Sequence, residues 1–145
     1  RNLPTEDKVV IVSQWAGYLA ILGEVLKKKG IRYGVLTGEI AIPDRGPIID
    51  KFNTPERGPR ILLLSLTAGG CGLNLVGGNR LMLIDIHWNP QLENQACDRI
   101  YRVGQKKDVF VYRCVSTAQS IFSIIFSFFS IIFYLVYVPF GLRLT

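Results

Sequence analysis

The sequence predicts an α/β fold, a mostly parallel sheet with helices on both faces, on three observations. Short apolar runs alternate with amphipathic helical segments over residues 8–115. The runs are apolar throughout their middles instead of at every second position, as expected of strands buried on both faces. Turn-forming residues separate the segments. At 145 residues the chain suits one domain with a substantial core. An atypical hydrophobic C-terminal tail lies outside this pattern.

Each element has its own justification. Lys8–Ser13 is rich in β-branched residues after a polar lead and reads as a buried strand. Gln14–Lys29 carries Trp15, Tyr18, Leu19, Leu22, Val25 and Leu26 at the spacing of one helix face. Lys27–Lys29 complement the dipole of its last turn, and Gly30 ends it. Ile31–Leu36 reads as a second strand and Thr37-Gly38 as a turn. A helix then begins at Pro43 or Asp44 and runs to about Phe52, with Pro47 expected in its early part. Asn53–Pro59 is a loop of turn residues. Arg60–Ser65 and Arg80–Asp85 are the third and fourth strands, separated by the glycine-rich stretch Thr67–Gly78. Pro90 opens a further helix, at a position that suits proline. Asp108–Val115 is the fifth strand, and no internal repeat is present.

Composition narrows the function classes. The formal charge is +6, of which +5 falls in the first 113 residues, because Arg143 is the single charged residue beyond Arg113. That balance suits a polyanionic partner. Cys71, Cys97 and Cys114 show no C-x-x-C spacing and form no zinc set with the lone His87. They read as small buried fillers in a reducing compartment. The polar opening Arg1–Lys8 is not a signal peptide, and without an initiator methionine the chain reads as a piece of something longer. Ile121–Val138 is 18 uncharged, apolar or serine residues, which reaches the minimum length of a membrane span. It is equally rich in aromatic and β-branched residues that suit aggregating strands.

Three stretches carry candidate chemistry. Gln95–Gln105 reads Gln-Ala-Cys-Asp-Arg-Ile-Tyr-Arg-Val-Gly-Gln. On a helix, Arg99 and Arg102 would share one face, with Gly104 as the stop. Two planar, permanently charged donor forks suit a phosphate chain; an ordinary solvated pair is the plainer reading of R-x-x-R alone. Ala68-Gly69-Gly70-Cys71-Gly72 removes side chains, so backbone N–H groups can approach a phosphate, and a helix start is expected after it. A tight turn needing positive φ is the alternative. Trp15 and Trp88 suit stacking on a sugar or base, with the core an equal reading for Trp15. In an open α/β sheet the working loops lie at the carboxyl ends of strands, where Ser13-Gln14-Trp15, Ser65–Asn74 and Asp85–Trp88 are predicted.

These stretches resemble motifs of the Swi/Snf-type ATP-dependent DNA translocases of helicase superfamily two. Val9–Trp15 (Val-Val-Ile-Val-Ser-Gln-Trp) resembles the motif that opens the family's second RecA-like lobe. Ser65–Leu75 resembles its glycine-rich motif, Asp85–Pro90 the segment leading into the arginine helix, and Gln95–Gln105 its last motif. The four stand in family order and spacing over about residues 8–115. The resemblance implies a RecA-like lobe over residues 1–117, incomplete at its end, and a tail over 118–145 foreign to that fold. It implies DNA-backbone contacts from Gln14, Ser65, Thr67, Ala68, Gly69 and Trp88. Gly72, Asn74 and Gln95 would lie toward the nucleotide, with Arg99 and Arg102 as arginine fingers and Asp98 pairing with a nearby basic group to fix the helix. Many family members carry arginine where Thr67 stands, so one charged contact is missing. The implied cofactor is ATP with Mg, held mainly by a first lobe, because this chain has neither G-x-x-x-x-G-K-[ST] nor Asp-Glu-x-His. The implied partners are double-stranded DNA, the N-terminal ATPase lobe and RNA polymerase II complexes, in the nucleus, with a role in transcription termination or chromatin. The alternative is a non-catalytic membrane-tethered or truncated fragment of such a protein.

Overall fold

The computed structural model describes residues 7–55, 57–68, 72–85 and 87–114; the tail and its candidate span lie outside these, as do Gly69, Gly70, Cys71 and Ile86. The elements are β1 (Val9–Ser13), α1 (Ala16–Lys28), β2 (Tyr33–Leu36), α2 (Ile42–Asn53), β3 (Ile61–Ser65), β4 (Arg80–Leu83), α3 (Pro90–Ile100) and β5 (Phe110–Arg113). The five strands form one sheet in the order β2-β3-β1-β4-β5, with every pairing parallel. The predicted strands are all present: β1, β2 and β3 end where expected but start one or two residues later, β4 ends two residues sooner, and β5 is two residues shorter at each end.

β1 lies at the centre, and all five of its residues are buried. Its alternation explains the uninterrupted apolar run. Val9 and Ile11 face one core with Ile61, Leu63 and Met82. Val10 and Val12 face the other with Leu62, Leu64, Leu81 and Leu83. Helix α1 covers the first face through Leu19, Leu22 and Leu26, one stripe at helical spacing. Gly23 lies in that stripe because the Tyr33 ring fills its place: a Cβ there would sit 3.1 Å from the Tyr33 hydroxyl. Gly30, at φ 68°, turns the chain out of the helix as expected. Trp15 is not in the stripe. It precedes α1 as the N-cap and is 64% exposed, which settles its open reading against the core.

Helices α2 and α3 cover the second face. Phe52, near the end of α2, is fully buried there. The Lys8 ammonium donates to the Phe52 and Thr54 carbonyls at that helix end and sits 5.4 Å from the Phe52 ring centre. Pro47 lies in the middle of α2, not its early part, so the helix forgoes the bond its N–H would give. Glu93, Ala96 and Ile100 are the buried stripe of α3. Cys97 and Cys114 are half-buried at the margins of the two cores, less enclosed than fillers would be.

The amino edge of the sheet is closed by a buried ion pair. Asp7 Oδ2 accepts from Arg80 Nε at 2.8 Å and lies 2.6 Å from Nη2, while Asp7 Oδ1 accepts from Asn79 Nδ2 at 2.7 Å. Arg80 also donates to the Tyr112 hydroxyl at 2.8 Å and lies over the Phe110 ring. One side chain therefore ties the entry of β1 to β4 and β5.

The connection from β3 to β4 departs from expectation. Both strands pair with β1, on opposite sides, so the chain must cross the sheet. It does so without the helix predicted after the glycines: residues 72–79 run as a strap with no regular structure. Leu73 and Leu75 are buried while Gly72 and Asn74 are exposed. That two-residue alternation is extended backbone laid on the core, and a helix would carry one leucine off it.

Tyr18 and Cys114 both pack against the core beneath α1. Burial first, then the charges of Cys114 and Asp85, push the Tyr18 phenol up to about 12 from 10.0. Between those values the unfolded chain has released a proton that the folded chain keeps, so stability falls as pH rises through that window. Urea unfolding as a function of pH should show this alkaline loss, and Tyr18→Phe should lessen its slope between pH 10 and about 12.

Candidate functional site

Because β1 lies between β3 and β4, the loops leaving these three strands meet at the carboxyl edge. Their predicted residues are gathered there. Backbone bonds continue past the strands, with Leu66 N donating to Ser13 O and Ile84 N to Val12 O, each at 3.0 Å. Asp85 then locks two loops together: it accepts from the Ser13 hydroxyl and, at 3.0 Å, from Gln14 N. The Ser13 hydroxyl accepts in turn from Trp15 N at 3.0 Å. Gln14 is left half-buried at the rim with Trp15 beside it.

After β3 the chain folds back on its own hydroxyls. Ser65 Oγ accepts from Ala68 N at 3.3 Å and lies 3.0 Å from Thr67 Oγ1. Ser65 and Ala68 are buried, and the Ala68 carbonyl accepts from Arg45 Nη1 at 3.4 Å. Arg45 is itself fixed by donating to Ile40 O at 2.9 Å. Of this stretch, Thr67 presents its side chain outward; Gly69 lies outside the described residues.

The loop after β4 presents Trp88, 87% exposed and tilted against the His87 ring at 5.4 Å between centres. Its support is internal. His87 Nδ1 accepts from Asn89 N at 3.0 Å, and His87 N donates to Glu93 Oε1 at 2.9 Å. Asn89 caps α3 by accepting from Gln91 N at 3.0 Å. Glu93 Oε2 pairs with Arg113 Nε at 3.2 Å. The carboxylate that fixes this helix is therefore Glu93; Asp98 is exposed. The sequence held a sign of this, since Glu93 falls on the stripe of Ala96 and Ile100.

The second group lies around the strap, which leads from that edge back to the start of β4. Helix α3 ends at Ile100, four residues before Gly104, so Arg99 and Arg102 do not share a helix face. The reason lies in the carbonyls of its last turn. Arg99 O accepts from Leu75 N at 3.0 Å, and Ile100 O accepts from Gln105 Nε2 at 3.3 Å. With those acceptors engaged, the chain leaves the helix at Tyr101. Arg99 stands half-buried in the last turn with exposed Gln95 one turn before it. Arg102, exposed, directs Nη1 toward Gly72 O and Leu73 O at 3.4 and 3.5 Å. Tyr101 and Val103 on either side are exposed as well.

Gly72 has φ 59° with open space around it, so the turn requires glycine for its backbone and not for room. Asn74 exposes its side chain while its carbonyl accepts from Asn53 Nδ2 at 2.8 Å. The strap's remaining groups are taken by Asn53 Oδ1, which accepts from Gly77 N, and by Gln105 Nε2, which donates to Val76 O and Gly78 O. The structure thus brings Gly72 and Arg102 together, with Arg99 alongside. An exposed guanidinium beside exposed glycine backbone fits one wall of a nucleotide-phosphate site.

Comparison with known proteins bears on the family and the fold. The helicase conserved C-terminal domain family matches residues 2–104. Transcription termination factor 2 of Drosophila melanogaster is 53% identical over 117 residues, covering 79% of this chain and 11% of that protein. The DNA repair and recombination protein RAD54 of Saccharomyces cerevisiae is 43% identical over 113 residues, covering 78% of this chain and 13% of its own. The crystal structure of the C-terminal part of the Fun30 ATPase domain superposes with a TM-score of 0.70 at 39% identity, over 74% of this chain and 34% of that one. The chain therefore spans a small part of these relatives.

Gln105 is the strap's main anchor. Gln105→Ala would leave three part-buried carbonyls short of a donor and should lower stability by about 1–3 kcal/mol. Denaturant midpoints of the two chains at equal m-value measure it.

Proposed function

The chain belongs to the helicase conserved C-terminal domain family, as a C-terminal RecA-like lobe of Swi/Snf type, and we propose that it completes the ATP site of a double-stranded-DNA translocase. The lobe would occupy residues 1–117, with the tail of 118–145 apart from it. The observation that carries this reading is Arg102, exposed and braced on the strap's carbonyls, with Arg99 one turn back. The exposed Tyr101 and Val103 flanking it suit a face that a first lobe covers.

In this reading Arg99 and Arg102 stabilise the negative charge that grows on a transferring phosphoryl group, a role typically worth ~10³–10⁵ in rate. Gln95, Gly72 and Asn74 bound the nucleotide side. ATP and Mg would be held mainly by the first lobe, and the triphosphate supplies the energy for lobe closure. At the carboxyl edge, Gln14, Thr67 and Trp88 contact the DNA backbone, while Ser65 and Ala68 shape the loop continuing into Gly69. Tryptophan stacking and hydroxyl contacts there offset the missing arginine at Thr67. Transcription termination is the biological setting favoured by the likeness to the fly factor, with RNA polymerase II complexes as partners in the nucleus.

The test joins this lobe to a cognate first lobe and measures DNA-stimulated ATP turnover. Arg102→Ala should lower turnover by about a thousandfold or more with duplex binding retained, and Arg102→Lys should not restore it, since a lysine is no bidentate fork. Unchanged turnover in Arg102→Ala overturns the assignment.

A further inference from the structure

A second concave surface lies at the opposite, amino edge of the sheet. It is a cleft of about 790 Å³ that contains none of the candidate nucleotide or DNA residues named above, although Asn53, Val76, Gly77 and Gln105 of its lining also hold the strap. Lys8, Arg60, Lys106 and Lys107 line it, and its described lining residues include no carboxylate. The volume is that of a ligand-sized site.

The cations are rooted on separate elements. Arg60 precedes β3, Lys8 precedes β1, and Lys106-Lys107 lead into β5, so together they cover three strand spacings of the sheet. At about 4.8 Å per spacing that is roughly 14 Å. Charges rooted that far apart suit an extended polyanion better than one small anion. A nucleic-acid strand, with a phosphate every ~3.4 Å of axis, meets them with several phosphates in a row.

The walls are built to hold this spacing. Gln105 accepts from the backbone N–H groups of both Lys106 and Lys107 at 3.0 Å, while its amide nitrogen holds the strap. Gly77, on the floor, has no room to spare: a Cβ there would come within 2.6 Å of Asn53 Cα. Lys8 supplies field more than contact, as its ammonium is turned to the end of α2. Burial first, and then the positive charges of Lys107 and Arg32, lower the pKa of that ammonium from the ordinary lysine value.

We propose that this amino-edge cleft is a second nucleic-acid contact, binding a phosphodiester backbone independently of the loops at the carboxyl edge. In a translocase, two such contacts on one lobe would let it hold the strand it moves along and a neighbouring segment together.

The test is fluorescence anisotropy of a short labelled duplex with the full chain over a series of salt concentrations. Lys106→Glu/Lys107→Glu should weaken binding several-fold at low salt and reduce the slope of log affinity against log salt by about two. Lys27→Glu/Lys28→Glu, the same charge change at the end of α1, should leave most of the slope. The milder Lys106→Gln/Lys107→Gln should show a smaller effect in the same direction and guards against a folding artefact. Trp88→Ala should weaken binding without this loss of slope, and its effect should add to that of the amino-edge pair. An unchanged slope in the Lys106/Lys107 variants, or an equal loss in the α1 pair, overturns the proposal. So does tripolyphosphate binding that needs Lys106 and Lys107 when duplex binding does not. None of these readouts depends on Arg102 or on ATP turnover.

Discussion

One constraint organises this lobe: two strands that flank the same neighbour are joined across the sheet by a strap that, over its described residues 72–79, is not a helix. An extended segment laid on a core has backbone groups with no ladder to pair with, and unpaired buried groups are costly. Asn53 on α2, Arg99 at the end of α3, and Gln105 in the following turn meet that need. Their bonds close the gap between α2 and α3. They also end α3, which releases Arg102 from the helix and turns it toward Gly72. The position of the arginine is thus a by-product of how the crossover is satisfied.

Strands β1, β3 and β4 were legible because burial on both faces removes alternation, whereas the edge strands β2 and β5, half-buried and largely exposed against the expectation of burial on both faces, were legible only as short apolar runs between turn residues. Helix α1 was legible because its stripe, basic end and terminal glycine agree. The end of α3 was not. Gly104 is a sound local stop, but the partners that take the last carbonyls, Leu75 and Gln105, act through the tertiary fold. The strap could have been read from Leu73 and Leu75, whose period is two; the glycine motif beside it drew attention to a helix start instead. Asp85 as a tether for Ser13 and Gln14 needs the strand order, which no single segment carries. Trp15 was ambiguous because its spacing extends the α1 stripe by one turn, although the helix begins only after it.

The two edges of the sheet differ in chemistry. The carboxyl edge presents a hydroxyl, an amide and two indoles on loops tied by Asp85, Ser65 and Glu93, whose polar groups are largely turned inward. The amino edge carries the concentrated positive charge, arranged around a strap anchor. The two edges of one sheet thus offer different kinds of contact, hydroxyl, amide and indole at one and lysine and arginine at the other.

Of the five strands of this sheet, the central one is the first to be synthesised. Val9–Val12 pair on one side with Ile61–Leu64 and on the other with Arg80–Leu83, so about seventy residues must emerge before both edges of β1 are covered. During that interval a nascent, uncharged, β-branched segment has no partner of its own. Translation speed through residues 13–83, and whatever chaperone shields the opening strand, therefore bear directly on how much of the chain reaches this fold instead of aggregating.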